Sequence, residues 1–380
     1  MIYIMSEIQN ILKNQLNNIN KLVLSGGGAK GCIFVGMLKY LEEINRREQI
    51  KTIAGTSIGA LMATLITLGF TAAELEQIMK QFDYKKYQAI DVNCLFEKFG
   101  IDTFENMYKF IESLFIKKKF SPEITFKALY EKTQIHLIFN SVCLNIRQTT
   151  FFDYLKTPDM PIILALEASM ALPYMFASVV YKGLTYLDGG ILNNFPIDYE
   201  LFQKNPESVL GINLHNPLNY SIKEIKTIDN FSLQLFSCLY NAYIEIVEKN
   251  YVDPHIINIS AQKFSTFDLD LTMEDKQFLF DSGYHKTKEY FEVTLINKIV
   301  KQIEQKKLEL EEREKKLLEE QKIKNSLEKQ KQLLDEANRQ SIIFLQTIDQ
   351  YLDKTQIKDA QSLIKKQIES LSSQSHIDNK

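Results

Sequence analysis

Short apolar runs alternate with helical repeats in the first part of the chain. The run 21–24 ends in a cluster of glycines, and apolar residues then recur at positions 33, 37, 40, 41 and 44, which is helical spacing. A second run, 50–54, ends at Gly55-Thr56-Ser57, and the next helical repeat stops at Gly69. Strands joined by a helical crossover run parallel, so this β-α-β-α order predicts a parallel sheet.

The middle of the chain predicts further helices and strands. Residues 71–135 are expected to be largely helical with aromatic-rich faces, and 137–144 to form a strand. The remaining predicted elements are a helix over 161–172, a hairpin of 179–181 and 184–187, strands over 208–214 and 255–259, and helices over 231–249 and 273–297. This alternation predicts an α/β fold, a three-layer α/β/α sandwich around a central, mainly parallel sheet.

The composition changes near residue 300. Residues 301–340 are rich in Glu, Lys, Gln and Leu, lack Gly and Pro, and carry i,i+4 pairs such as Glu311 and Lys315. A heptad register through 303, 310 and 317 breaks at two later lysines, which predicts a long charged helix of weak coiled-coil character, followed by a second amphipathic helix from 342. We therefore expect a helical lead-in over 1–19, a main domain over 20–297 and a charge-rich helical C-terminal extension over 298–380.

The composition narrows the function classes. Of the 380 residues 45% are hydrophobic, which is enough for a large core, and the net charge of −3 gives no general attraction to nucleic acid. The four cysteines form no CxxC pair and no metal-ligand spacing, which is typical of thiols in a reducing compartment. The sequence shows no secretory signal and no run of 18 apolar residues, so we expect a cytoplasmic protein that meets membranes peripherally; export to a host cell stays open.

A glycine-rich turn joins the first predicted strand to the first helix. Its residues are Gly26, Gly27, Gly28, Ala29, Lys30 and Gly31. Backbone N–H groups at such a turn suit a dinucleotide pyrophosphate or an oxyanion, and a tight turn without a ligand is equally open. The dinucleotide interpretation needs an acidic residue at the end of the next strand, where this chain has Gly55-Thr56-Ser57.

Two further turns carry candidate catalytic groups. Gly55-Thr56-Ser57-Ile58-Gly59 has the G-x-S-x-G spacing of a nucleophile elbow, in which glycines make room for a sharp strand-to-helix turn. Ser57 would also be an ordinary helix N-cap. Asp188, Gly189 and Gly190 follow the predicted hairpin, either as a plain turn or as a turn that presents a carboxylate.

In this order, the motifs resemble the patatin-like phospholipase family over roughly residues 20–215. The resemblance includes the segments 24–31, 55–59, 124–126, 168–173 and 188–196. It implies a Ser–Asp dyad in which Ser57 attacks an ester carbonyl and Asp188 takes its proton, with the amides of the 26–31 loop, chiefly Gly27 and Gly28, holding the oxyanion. It also implies hydrolysis of phospholipid or other lipid esters without metal or cofactor. Lys30 would support the oxyanion or be a solvated surface lysine.

Several alternatives stay open. His215 and His255 follow Asp188 in the order of a Ser–Asp–His triad, although a structural histidine is the commoner explanation for each. The protein could instead be a catalytically idle lipid-binding scaffold. The aromatic stretch 84–120, which ends in three lysines, could form a lid against lipid, but core packing is the favoured interpretation. The C-terminal helices could bind a protein partner or self-associate.

Overall fold

The computed structural model describes residues 16–214, 225–226, 238, 255–261, 264, 271–351 and 358–377. Residues 16–18 of the predicted lead-in are helical, and residues 1–15 lie outside the described residues. The predicted helix over 231–249 also lies outside them, except for Cys238. The chain divides into two compact units, Met1–Ile299 and Val300–Lys380.

The first unit is an α/β unit. Its strands are β1 Lys21–Leu24, β2 Thr52–Gly55, β3 Gly100–Asp102, β4 His136–Cys143, β5 Gln148–Phe152, β6 Tyr174–Phe176, β7 Val179–Tyr181, β8 Leu184–Asp188, β9 Val209–Asn213 and β10 His255–Asn258. Its helices are α1 Cys32–Glu43, α2 Ile58–Thr67, α3 Ala72–Gln81, α4 Val92–Lys98, α5 Glu105–Lys117, α6 Phe126–Thr133, α7 Ile162–Met170, α8 Glu200–Gln203 and α9 Met273–Glu289. A π-helical turn, Tyr290–Thr294, precedes α10 Leu295–Tyr351, and α11 spans Lys358–Ile377.

The central sheet has the order β10-β9-β1-β2-β4-β8-β7, with β5 also paired to β4. The strands from β10 to β4 run parallel, whereas β5, β7 and β8 are antiparallel to their neighbours. All four residues of β2 and all eight of β4 are buried, as expected for parallel strands covered by helices on both faces. The predicted α/β fold with a mainly parallel sheet and a C-terminal helical extension is confirmed.

Strand register brings three loops to one edge of the sheet. Leu24, at the end of β1, is level with Gly55 at the end of β2, so the glycine loop and the Ser57 turn leave neighbouring strands side by side. Gly55 is level with Phe139 of β4, and Asp188 is level with Ser141 two residues further along β4. The Asp188 turn is therefore next to the Ser57 turn.

Helices α1 and α9 approach each other closely at two glycines. A Cβ on Gly36 would overlap the Phe280 carbonyl and lie 2.6 Å from the Tyr284 nitrogen, and a Cβ on Gly283 would overlap the Ile33 carbonyl. Nine residues of α1 are buried, so this crossing belongs to the core of the first unit. The helix predicted over 273–297 is thus an integral part of the α/β unit.

The structure refines the prediction for residues 71–135. Four α-helices account for most of this segment, but the short strand β3 interrupts it and pairs in parallel with β6 as a separate two-stranded sheet. Phe104 and Phe115 are buried in the core, whereas Phe96 and Phe99 are 77% and 59% exposed. The aromatic stretch therefore contributes both to the core and to the surface.

The second unit is helical. The sequence predicted a break near residue 340, but α10 continues as one helix from Leu295 to Tyr351. Gly and Pro are the residues least favourable in a helix interior, and neither occurs between 301 and 351. No local signal therefore stops the helix. Large apolar side chains along it, such as Leu317 and Phe344, are more than half exposed.

Candidate active site

Ser57 lies on a strained turn between β2 and α2. Its φ of 53° and ψ of −121° are rare for a residue with a side chain, and such strain is common at functional positions. A Cβ on Gly59 would lie 2.5 Å from the carbonyl oxygens of both Leu24 and Ser25, so only glycine fits there. The Ser57 side chain makes no N-cap hydrogen bond to α2. Ser57 therefore occupies the N-cap position of α2 without using its side chain as a cap.

Ser169 of α7 holds the backbone of this turn. Its hydroxyl oxygen accepts a hydrogen bond of 3.0 Å from the Ser57 N–H, and Ser169 is fully buried. Beside it, the Ser141 hydroxyl donates to the carbonyl oxygens of Ala168 and Leu187 at 3.1 and 2.6 Å. These serines connect the Ser57 turn, α7 and β8, so the Ser57 turn and the strand that carries Asp188 share one buried support.

Asp188 ends β8 and is 1% exposed. Its backbone N–H donates to the Ala171 carbonyl at 2.9 Å, and its Oδ1 accepts 2.7 Å from the Gly190 N–H. Among the described residues, Oδ2 has no hydrogen bond of ordinary geometry. Burial raises the pKa of this carboxyl to about 6, against the lowering effects of the nearby Ser57 hydroxyl and the Gly190 amide. Ser57 and Asp188 are thus brought together, with Oδ2 available to the serine.

The glycine loop lies against the Ser57 turn. A Cβ on Gly31 would lie 2.5 Å from Ile58, and Gly28 has a φ of 56° that favours glycine. Within the described part of the chain, the N–H of Gly26 donates to Asn194 and that of Lys30 to Gly27, whereas Gly27 and Gly28 donate to no backbone or side-chain acceptor. Their two N–H groups are available to an anion at the start of α1.

Lys30 is not a solvated surface lysine. It is 2% exposed and is one of the largest fully buried side chains of the described residues. The alternative that placed it on the surface is therefore wrong.

The histidines lie elsewhere in the described structure. His255 is the first residue of β10 and is level with Leu210, near the opposite end of the sheet from the three loops; its Nδ1 lies 2.9 Å from the Tyr290 hydroxyl. His136, which the sequence analysis did not consider, lies 3.2 Å from Asp153 but begins β4, level with Thr52, again at the far end. His215 lies outside the described residues.

Neither a metal cluster nor a membrane-spanning helix is found in the described part of the chain. No group of three His, Cys, Asp or Glu residues there is arranged to hold a metal ion. No helix among the same residues is both long and apolar enough to cross a bilayer.

Comparison with known proteins agrees with this geometry. The family model for patatin-like phospholipase matches residues 22–201. The chain is 30% identical over 296 residues to the uncharacterised protein R571 of Acanthamoeba polyphaga mimivirus, covering 74% of this chain and 96% of that protein. It is 33% identical over 193 residues to the probable lipid hydrolase 463L of Invertebrate iridescent virus 6, covering 49% of this chain and 65% of that protein.

A solved structure shares the fold. VipD from Legionella pneumophila superposes with a TM-score of 0.51 at 18% identity, over 72% of this chain and 67% of that one. At this identity the likeness to VipD concerns the fold alone. Membership of a family is shown by the family model together with the mimivirus relative. The chain belongs to the patatin-like phospholipase family.

Proposed function

We propose that this protein is a lipid acyl hydrolase of the phospholipase A type, with Ser57 as nucleophile and Asp188 as proton acceptor. The observation that carries the proposal is the Asp188 carboxylate. One of its oxygens is held by Gly190, and the other is buried without a hydrogen bond of ordinary geometry in the described structure, close to the Ser57 hydroxyl. Its raised pKa supports a role as base, because an ordinary carboxylate is a weak base toward a hydroxyl.

The proposed reaction has two halves. Ser57 Oγ attacks the ester carbonyl carbon while its proton passes to Asp188, and the resulting oxyanion accepts hydrogen bonds from the N–H groups of Gly27 and Gly28. The intermediate collapses to an acyl-enzyme, and the leaving alcohol takes the proton from Asp188. Asp188 then removes a proton from water, which attacks the acyl-enzyme carbonyl. When this second intermediate collapses, Asp188 returns the proton to the leaving Ser57 Oγ, and the fatty acid is released. Loss of one oxyanion donor typically lowers such a rate by about 10²–10³.

The direct test is fatty-acid release from mixed phospholipid vesicles, measured by mass spectrometry. We expect release by the wild type and none by Ser57→Ala or Asp188→Ala. Ser113→Ala is the matched control, because Ser113 is exposed and its hydroxyl bonds only the Phe110 carbonyl of its own helix. Release by either dyad variant at the wild-type rate would reject the mechanism.

A catalytically idle lipid-binding protein is the second candidate. It predicts vesicle binding without ester cleavage and no reaction of Ser57 with a fluorophosphonate probe. The strained backbone of Ser57 supports the hydrolase instead, because such strain costs stability and is common at active sites. Fluorophosphonate labelling that is lost in Ser57→Ala would exclude the idle protein.

Peripheral membrane contact is part of the proposal, and an apolar patch supports it. The patch consists of Ile90, Val92, Phe96, Phe99, Ile101 and Tyr174, which are 38–77% exposed. Pairing of β3 with β6 places Tyr174 beside the segment that carries Phe99 and Ile101. Tyr174 also lies three residues after Ala171, whose carbonyl accepts the Asp188 N–H, so the patch is connected to the proposed site. Exposed apolar side chains grouped in this way suit contact with lipid.

A vesicle co-sedimentation assay tests this patch. We expect Phe96→Ser with Phe99→Ser to reduce binding to vesicles, and charge reversal at Lys118 to leave it unchanged. Lys118 is already engaged within the fold, 2.8 Å from Glu74 and 4.6 Å from the Phe70 ring centre. Undiminished binding by the double serine variant would reject the patch as the contact.

We also propose that residues 20–297 form the catalytic domain and that 298–380 form an arm for a protein partner or for self-association. The exposed apolar side chains along α10 support this role, since a solvated single helix has no need of them. Removal of 301–380 is expected to lower the mass measured by light scattering to that of a monomer, or to abolish capture of a partner, while short-ester hydrolysis persists. An unchanged oligomeric state together with unchanged partner capture would reject the arm.

A further inference from the structure

Two asparagine side chains lie between the three loops of the proposed site. Asn140 is in β4, next to the end of β2, and is fully buried. Asn194 follows the Asp188 turn and is partly buried. Neither belongs to the Ser–Asp dyad or to the glycine loop.

Asn140 connects the Ser57 turn to the segment after Asp188. Its Oδ1 accepts 2.6 Å from the Thr56 hydroxyl, and its Nδ2 donates 2.6 Å to the Asn193 carbonyl. A Cβ on Gly189 would lie 2.8 Å from this same amide and 2.7 Å from the Asn140 carbonyl oxygen. The Asn140 amide thus occupies the space that the missing side chain of Gly189 leaves.

Asn194 connects the glycine loop to the Asp188 turn. The Gly26 N–H donates 2.9 Å to the Asn194 carbonyl, and Asn194 Nδ2 donates 3.2 Å to the Gly26 carbonyl. A Cβ on Gly26 would overlap Asn194 Oδ1, and a Cβ on Gly190 would lie 2.9 Å from that oxygen. The Asn194 side-chain amide therefore fills the space that a side chain at Gly26 or at Gly190 would need.

We propose that Asn140 and Asn194 are positioning residues that set the spacing of the nucleophile, the base and the oxyanion loop. The proposal rests on the proposed hydrolase function and extends it to side chains that do not touch the ester. The Asn140 carboxamide accepts from Thr56 and donates to Asn193, which neither alanine nor a carboxylate can do. The Asn194 side chain donates to the Gly26 carbonyl and packs against Gly190. Displacement of a catalytic group by about 1 Å can reduce a rate by about 10²-fold.

Hydrolysis of a water-soluble short-chain ester separates positioning from binding. We expect kcat of Asn140→Ala and of Asn194→Ala to fall roughly 10- to 100-fold while KM changes less than about twofold. The near-isosteric Asn194→Asp replaces the donor by a negative charge against the Gly26 carbonyl, so its kcat is expected to fall at least as far as that of Asn194→Ala, provided it is equally folded by circular dichroism. Asn145→Ala is the control, because the Asn145 side chain accepts only from the exposed Thr185 N–H.

A second measurement needs no activity. Gly26→Ala is expected to lower the melting temperature because its Cβ meets the Asn194 amide, and Asn194→Ala to lower it as well. In the double variant the removed amide makes room for the Cβ, so the double variant is expected to melt above Gly26→Ala alone. Additive losses would show that the amide does not fill this space, and would overturn the Asn194 part of the proposal.

The outcomes distinguish this proposal from the proposed function. If Ser57→Ala and Asp188→Ala keep full activity, the dyad is wrong, and the melting temperatures still report on the asparagine contacts. If the dyad variants are inactive but the folded asparagine variants keep the wild-type kcat, positioning by Asn140 and Asn194 is wrong and the hydrolase stands.

Discussion

In the proposed mechanism the buried Asp188 carboxylate is needed for activity but lowers the stability of the fold, and one substitution tests this conflict. Burial raises the pKa of its carboxyl from 3.8 to about 6. A carboxyl that holds its proton more tightly in the folded protein stabilises the fold fully below 3.8, and this contribution is lost as the pH rises through about 6. At about 1.4 kcal/mol per pH unit, the ionised carboxylate destabilises the folded protein by about 3 kcal/mol above that range.

Asp188→Asn removes the charge and keeps Oδ1 as an acceptor for the Gly190 N–H. We expect this variant to be inactive yet more stable than the wild type at about pH 8, by up to about 3 kcal/mol. The new amide NH₂ group adds an offset that does not vary with pH. The diagnostic quantity is therefore the change in the stability difference between about pH 4 and about pH 8, which should be about 2.4 kcal/mol because the carboxyl of the unfolded chain is already more than half ionised at pH 4.

Urea denaturation across this pH range measures the difference. Asp159→Asn is the matched control, since Asp159 is exposed and its replacement removes the same formal charge. A stability difference for Asp188→Asn that stays flat with pH would show that burial does not destabilise the ionised carboxylate. The same trend in the control would assign the effect to net charge and would equally refute the reasoning.

Further predictions test the site and its support. The kcat/KM for a soluble ester should rise with pH through a midpoint near 6 as Asp188 ionises, and a midpoint near 4 would contradict this. Ser169→Ala leaves the Ser57 N–H without its acceptor, so urea denaturation should show a loss of about 1–3 kcal/mol; an unchanged value would mean that the bond is replaced. Gly283→Ala should lower the melting temperature because its Cβ meets the Ile33 carbonyl, and unaltered melting would disprove the close crossing. Chelation with EDTA should leave hydrolysis unchanged, and loss of activity would reveal a metal requirement.

The sequence predicts those parts of the site that depend on residues close to one another along the chain. Gly59 must be glycine because of the carbonyls of Leu24 and Ser25 at the end of the neighbouring strand, and the G-x-S-x-G spacing marks that turn directly. Asp188 is different. Spacing alone left its Asp-Gly-Gly segment open between a plain turn and a turn that presents a carboxylate, because its place beside Ser57 depends on β8 pairing with β4. The family resemblance favoured the second interpretation.

The supporting residues had no signal in the sequence. Asn140 lies 84 residues from Thr56, and Ser169 lies 112 residues from Ser57, so no pattern along the chain connects them. A serine in a helix and an asparagine in a buried strand are both unremarkable by type. Lys30 was ambiguous for a similar reason, since its 2% exposure depends on packing from distant segments.

The crossing of α1 and α9 bears on how this protein can exchange segments with its relatives. The family match ends at residue 201, yet the backbone of α1 at Gly36 lies against that of α9 at Phe280 and Tyr284. A chimaera that joins residues 22–201 to the C-terminal part of another protein would bring unmatched surfaces together at this crossing. Transfer of the two helices as a pair avoids this, and a junction after Ile299, where the first compact unit ends, keeps the crossing intact.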